Sequence, residues 1–307
     1  MTVSGTRGGL VLACAALAAI VACGRARPQT FVAPEDAVAA LLKAAQQDSV
    51  DGLLTLFGPD AKVLIASSDP VTARRNRDVF VVAMAEGWRL ENEPDGRKVL
   101  VAGNESWPFP IPLVRDPAGW KFDVAEGADE VLRRRIGRNE LAVIRICKTY
   151  VAAQRLYAAS GHDGRPAGRY AKTLRSDPGR HNGLYWAAQR GEKPSPLGEL
   201  LAEAAQEREP LDPSRPGPAP FYGYHFAILT AQGANVTGGL RDYVENGEMT
   251  GGFALVAWPA QFGVTGIMTF VVAEDGVVHQ RSLGEQTSAL ARSLKRYDPD
   301  QSWTIAN

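Results

Sequence analysis

Chemistry in this chain would have to begin at its four histidines, its acidic pairs, its glycine pairs or its cysteines. A zinc hydrolase needs ligands at fixed spacing, such as two histidines one helical turn apart with a glutamate between them. His162, His181, His225 and His279 are scattered, and no pair has that spacing. A nucleophile elbow needs Gly-x-Ser-x-Gly, and no such run occurs. Phosphate-cradling loops need glycines that lead into a helix. Gly238-Gly239 and Gly251-Gly252 instead lie among strand-like runs, where they suit hairpins or bulges. Asp298 and Asp300 flank Pro299 and read as a turn that stops a helix. His162-Asp163-Gly164 offers one carboxylate where calcium loops supply several. Cys147 sits in an apolar helical pattern, the setting of a buried, inert thiol. Arg133, Arg134, Arg135 and Arg138 lie beside Asp129, Glu130 and Glu140, which predicts a charge-paired helix surface. Aromatic residues remain. Trp186, Tyr222 and Trp258, with Tyr185 and Tyr224 near them, could line a ligand or partner surface or alternate into the core. No catalytic residue, metal site or cofactor is assigned from these patterns.

The elements that would position such residues follow from composition and periodicity. Lys plus Arg and Asp plus Glu number 34 each, so charge supplies no reason to expect nucleic acid as a partner. A hydrophobic share of 45% in 307 residues suits a globular chain of about two domains. Pro34 opens an amphipathic helix, with Glu35 and Asp36 in its first turn. Asp51 to Phe57 follows as a short helix. Lys62 to Ala66, Trp88 to Glu91, Lys98 to Ala102, Ile111 to Arg115 and Gly119 to Val124 read as short strands, with a helix at Val79 to Glu86. Alternate prolines in Trp107 to Pro112 predict an edge strand.

Gly127 to Arg135 reads as a charged helix interrupted at Gly137. Asn139 then caps a longer helix, Glu140 to Ala159, expected to lie across a C-terminal sheet. Tyr170 to Leu174 is a short helical patch. Ser195 leads into a helix to about Glu207, and Pro210 to Pro220 is an extended linker. Phe221 to Leu283 is an antiparallel meander, with Asn246-Gly247 and Asp275-Gly276 as its hairpin signals. Glu285 to Tyr297 is a closing helix.

The amino terminus carries an address. Arg7 followed by the apolar run Gly8 to Val21 reads as a secretory signal, too short for a comfortable membrane span. It ends Ile20-Val21-Ala22-Cys23-Gly24, which resembles the lipobox of bacterial lipoproteins. That resemblance implies cleavage after residue 22 and acylation of Cys23, and several acyl chains give stable anchoring. Gly24 after the cysteine favours the outer membrane. With Cys14 in the signal and Cys23 lipidated, Cys147 has no partner for an intrachain disulfide.

The expected organisation is therefore a signal peptide over 1–22, a tether over 23–33, an N-terminal α+β domain over 34–127 and a helix-plus-sheet domain over 128–307. Helices followed by a small curved sheet make the first domain similar to the nuclear-transport-factor-2-like fold. A long helix on a meander makes the second similar to pilin heads, although the helix starts too late in the chain for a working pilin. A broader likeness runs through Arg135-Ile136-Gly137-Arg138-Asn139-Glu140-Leu141, Asn182-Gly183-Leu184-Tyr185-Trp186 and Gly223-Tyr224-His225-Phe226. It continues through Gly251 to Pro259 and Gly263 to Phe270. These stretches resemble domain-of-unknown-function family 2950, a bacterial envelope family, which implies a secreted or lipid-anchored protein and no assigned activity. The expected function is a non-enzymatic binding or assembly module with an envelope protein as possible partner. An envelope hydrolase with a site built from distant residues is the alternative, and a pilus-like subunit a weaker one.

Overall fold

The computed structural model describes residues 27–65, 70–188, 191–198 and 220–306. The expected signal peptide, Cys23, most of the expected helix after Ser195 and most of the proline-rich linker lie outside them. The first half builds one core from helices and a small sheet. Helix α1 (Pro34–Gln46) starts on proline with Glu35 and Asp36 in its first turn and Lys43 in its last, each charge complementing the helix dipole. Helix α2 (Val50–Phe57) is capped by Ser49, whose Oγ accepts the Gly52 N–H at 2.9 Å. A 3₁₀ turn and the one-turn helix α3 (Lys62–Ile65) follow, then α4 (Pro70–Glu86). Lys62–Ile65 is thus helical where a strand was expected. A short apolar run does not distinguish the two, and here it simply continues the turn begun at Pro59.

Strands β1 (Trp88–Asn92), β2 (Lys98–Ala102), β3 (Trp107–Pro108), β4 (Leu113–Asp116) and β5 (Gly119–Phe122) form an antiparallel sheet in the order β1-β2-β4-β5, with β3 pairing β2. The proline-rich run contributes only Trp107–Pro108 to the ladder, at its edge. Val38, Leu41, Leu56 and Phe57 pack with Leu100, Leu113 and Phe122 in this core.

Helix α5 (Val124–Ala158) runs unbroken for 35 residues. Gly137 does not interrupt it, and the expected domain boundary at 127/128 falls inside its first turns. A mid-helix glycine costs only about 1 kcal/mol, and both halves are held from outside. Asp123 caps the start by accepting the Glu126 N–H. Arg133 and Arg134 reach Glu126 and Glu130, and Arg134 also donates to Pro108 O. The expected charge pairing of this surface is present in part. Arg133 and Arg134 are paired, Arg135 Nε is buried without a hydrogen-bond partner among the described residues, and Glu140 serves a different partner, described below.

The second half of α5 lies on a five-stranded sheet. Its strands are β6 (Tyr224–Leu229), β11 (Ala254–Pro259), β12 (Met268–Ala273), β13 (His279–Ser282) and β15 (Thr304–Ile305), ordered β15-β13-β12-β11-β6. Short ladders surround it: β7 (Ala231–Gln232), β8 (Arg241–Asp242), β9 (Val244–Glu245), β10 (Glu248–Met249) and β14 (Arg296–Tyr297). All six residues of β11 are buried, as a central strand covered on both faces requires. Helix α5 packs on β11 and β12, with Val143 and Cys147 in the core and Tyr150 Oη donating to Ala254 O at 3.1 Å. Helix α6 (Thr287–Ser293) also packs on β11. The closing segment is therefore a shorter helix than expected, because Arg296–Tyr297 leaves it to pair in parallel with β7. Asn246 and Gly247 have φ of 50° and 81° and join β9 to β10, the hairpin geometry their types predict.

Among the described residues no helix is long and apolar enough to cross a membrane.

Candidate functional site

Three stretches that are distant in sequence meet at the C-terminal end of α5. The helix contributes Gln154 and Tyr157. Beyond it, His162-Asp163-Gly164-Arg165 forms a tight turn, with His162 N–H donating to Arg165 O and Arg165 N–H returning to His162 O. The chain then runs extended. Tyr170 N–H donates to Met249 O on β10, and Ala171 is held at both backbone groups by one side chain. Gln154 Oε1 accepts the Ala171 N–H, and Gln154 Nε2 donates to Ala171 O, each at 2.9 Å. Gln154 is fully buried, so its amide stands in for a neighbouring strand. Tyr170–Leu174 is accordingly not the helical patch expected, since its polar backbone is already engaged by β10 and α5.

This arrangement opens a small cleft lined by Tyr157, His162, Arg165, Arg169, Tyr170 and Lys172, with Glu248 on its far wall. Its volume is about 20 Å³, room for one or two water-sized groups. Arg165 Nη1 donates to Glu248 Oε2 at 3.2 Å, and Arg169 Nε lies 3.7 Å from the same oxygen. Lys172 Nζ donates to the Gly247 carbonyl at 2.5 Å.

Behind the cleft stands a ring stack. His162 lies parallel to Tyr157 with centroids 4.1 Å apart, and Trp186 packs between His162 at 5.8 Å and His181 at 4.4 Å. His162 Nε2 is 3.0 Å from Tyr157 O. A carbonyl only accepts, so that nitrogen carries the proton. His181 Nε2 pairs with Glu192 at 2.8 Å, and the His181 N–H is received by the Asp163 carboxylate. Tyr157 Oη donates to His181 O, and burial raises its pKa, with Asp163 adding to the effect. The two histidines that sequence spacing left apart are thus neighbours across one tryptophan.

The other expected site residues are dispersed. Trp186 is half-buried in the stack. Tyr222 is half-buried and edge-on to Phe221, 5.2 Å away. Trp258 is only 5% exposed, so it offers no surface to a partner. It packs against His225 and lies under Arg292, because position 258 of β11 faces inward beneath α6. The three aromatic residues do not form one surface. Cys23 lies outside the described residues. Cys147 is fully buried, and burial pushes its thiol up to about 12, the inert setting its pattern predicted. Among the described residues no group of three or more His, Cys, Asp or Glu side chains is placed to hold a metal ion.

A second junction joins the halves of the sheet to α5. Glu140 Oε1 accepts the N–H groups of Ile267 and Met268 at 2.7 and 2.9 Å, and Asn139 Nδ2 donates to Thr265 O. Tyr224 Oη donates to Met268 O at 3.0 Å. A Cβ at Gly266 would collide with Tyr224 Oη, so only glycine fits there. Arg135–Leu141, Gly223–Phe226 and Gly263–Phe270 therefore converge on one structural node.

A family model described as a protein of unknown function, DUF2950, matches residues 28–305. The chain belongs to this family. No curated protein and no solved structure matches it. The DUF2950 match spans both cores, the node at Glu140 and the cleft alike. The residues that build the cleft, Gln154, Arg165, Arg169, Lys172 and Glu248, escaped sequence reasoning. The one local signal was the spacing of Arg165, Arg169 and Lys172 within an otherwise polar turn region; Gln154 and Glu248 had none.

Proposed function

We propose that this chain is a lipid-anchored protein of the bacterial envelope, facing the periplasm from the outer membrane, that binds a ligand or envelope partner without transforming it. The address rests on the apolar run to Val21 and the lipobox-like Ile20 to Gly24. The binding reading rests on one observation: guanidinium, ammonium and aromatic groups converge on one small cleft. His162 Nε2 is spent on a carbonyl, His181 Nε2 on Glu192, and Glu248 on two arginines. Two arginines hold the Glu248 carboxylate in place, and an Nε2 engaged by a carbonyl or a carboxylate fixes the orientation of each imidazole. Such a site recognises charge and shape.

Two measurements test the two parts. Wild-type protein should incorporate labelled palmitate and fractionate with membranes, and Cys23→Ser should lose both; labelling that persists in the variant refutes the anchor. For binding, a photo-crosslinking residue at exposed Ser160, on the cleft rim, should yield a discrete adduct in intact cells. The same residue at exposed Lys43, on α1, should not. No adduct at 160, or equal adducts at both positions, refutes the binding role of this cleft.

A further inference from the structure

Building on that binding role, we infer that the cleft receives a single oxyanion, a carboxylate or phosphate group at the end of a larger ligand. Arg165 has five N–H donors and places one on Glu248; Arg169 uses Nε toward Glu248 and Nη1 on Pro166 O; Lys172 uses one on Gly247 O. Acceptors within the lining are few. Glu248 is already shared, and the Asn182 amide is spent on Asp177, donating from Nδ2 and accepting at Oδ1. Asp163, the nearest other carboxylate, turns away to the His181 N–H. Three cations therefore line the cleft with one carboxylate, Glu248, facing them, and the open valence of the cleft is hydrogen-bond donation.

Size restricts what can answer it. Space of about 20 Å³ admits one or two oxygens of a charged head and excludes a whole metabolite of ordinary size. Guanidinium forks match the two oxygens of a carboxylate or two of a phosphate. Glu248 has a second effect: it holds both arginines toward one point before any ligand arrives, which lowers the ordering cost of binding. The rest of the ligand would lie outward, past the faces of Tyr170 and His162.

The test uses the full chain in detergent and follows its four histidine ring-proton signals by NMR. Inorganic phosphate and D-glucuronate are the probes, and D-glucose is the uncharged control. His162 should shift saturably with phosphate, glucuronate or both through the millimolar range, and glucose should leave it unmoved. Whichever probe binds tighter identifies the headgroup as phosphate or carboxylate. The double variant Arg165→Gln/Arg169→Gln should weaken binding at least about tenfold, the loss expected when charge-assisted bonds are removed. Arg145→Gln, on the exposed face of α5, should leave it unchanged. Should the double variant fail to fold, Lys172→Gln alone supplies the measurement, since that ammonium bonds only one loop carbonyl. No saturable shift with either oxyanion, or a shift that survives the variants, overturns the inference. An adduct at position 160 without oxyanion binding would overturn this inference and leave the binding role standing.

Discussion

Replacing Gln154 tests how the cleft is built. Its amide satisfies the N–H and the C=O of Ala171, which is 1% exposed and lies between two cleft residues, Tyr170 and Lys172. Gln154→Leu keeps the volume and removes both bonds, along with the Nε2 donation to Tyr150 Oη at 3.1 Å. Each buried backbone group left unpaired costs about 1–3 kcal/mol, so the pair costs about 2–6 kcal/mol, a large part of the 5–15 kcal/mol typical of a folded protein. At a urea slope of about 2–3 kcal/mol/M, the midpoint should fall by about 1 M or more.

Gln154→Glu refines the test, because a glutamate still accepts from the Ala171 N–H but donates to Ala171 O only when protonated. Burial raises such a carboxyl's pKa above its unfolded value of about 4.3. The folded protein then holds a proton that the unfolded chain releases. Stability is therefore fully present below about pH 4.3 and is lost as pH rises through the raised folded value. Urea midpoints measured relative to wild type from pH 4 to pH 7 should decline for Gln154→Glu and stay level for Gln154→Leu. A Gln154→Leu midpoint equal to wild type, or a Gln154→Glu curve without pH dependence, refutes the role assigned to this amide.

Three further outcomes are expected. Gly247→Val should cost about 1–3 kcal/mol from φ strain alone, since the space around a Cβ there is open; Gly247→Asn should cost less because asparagine tolerates positive φ, and equal melting temperatures would remove the strain argument. Burial, with Arg292 adding to it, lowers the His225 pKa. Its contribution is present above the unfolded value of about 6.5 and lost as pH falls through the lower folded value. Its ring protons should therefore titrate below pH 6.5, and His225→Asn should lose less stability than wild type on acidification; a midpoint at or above 6.5 contradicts this. With Cys14 and Cys23 replaced by serine, Cys147 should resist a thiol reagent in native buffer and react once urea unfolds the chain, because burial holds its thiol near 12; prompt native labelling would place it at the surface.

Much of the architecture was legible in the sequence, for local reasons. Pro34 with two acids and Asn246-Gly247 each meet a backbone demand within four residues of themselves. The apolar periods of α1, α5 and β11 announce which faces are buried. The α+β class and the antiparallel meander follow from such signals. Where local signals balance, the structure decided. Gly137 weakens a helix by an amount that packing at both ends outweighs, so α5 runs through it. Lys62–Ile65 suited either state and took the helix that the preceding turn began. Trp258 carried the same aromatic signal as Trp186, yet lies under α6 while Trp186 stands half-open between two histidines.

The cleft itself was beyond sequence reasoning. Arg165 and Glu248 lie 83 positions apart, and nothing in either neighbourhood names the other. Gln154 meets Ala171 only because the chain turns back beside α5 and β10. Sequence alone determined which segments must bury a face and which turns require glycine, because those demands act between neighbours. Tertiary structure decided which charges share a cleft, since that depends on how two cores and one long helix close around distant loops.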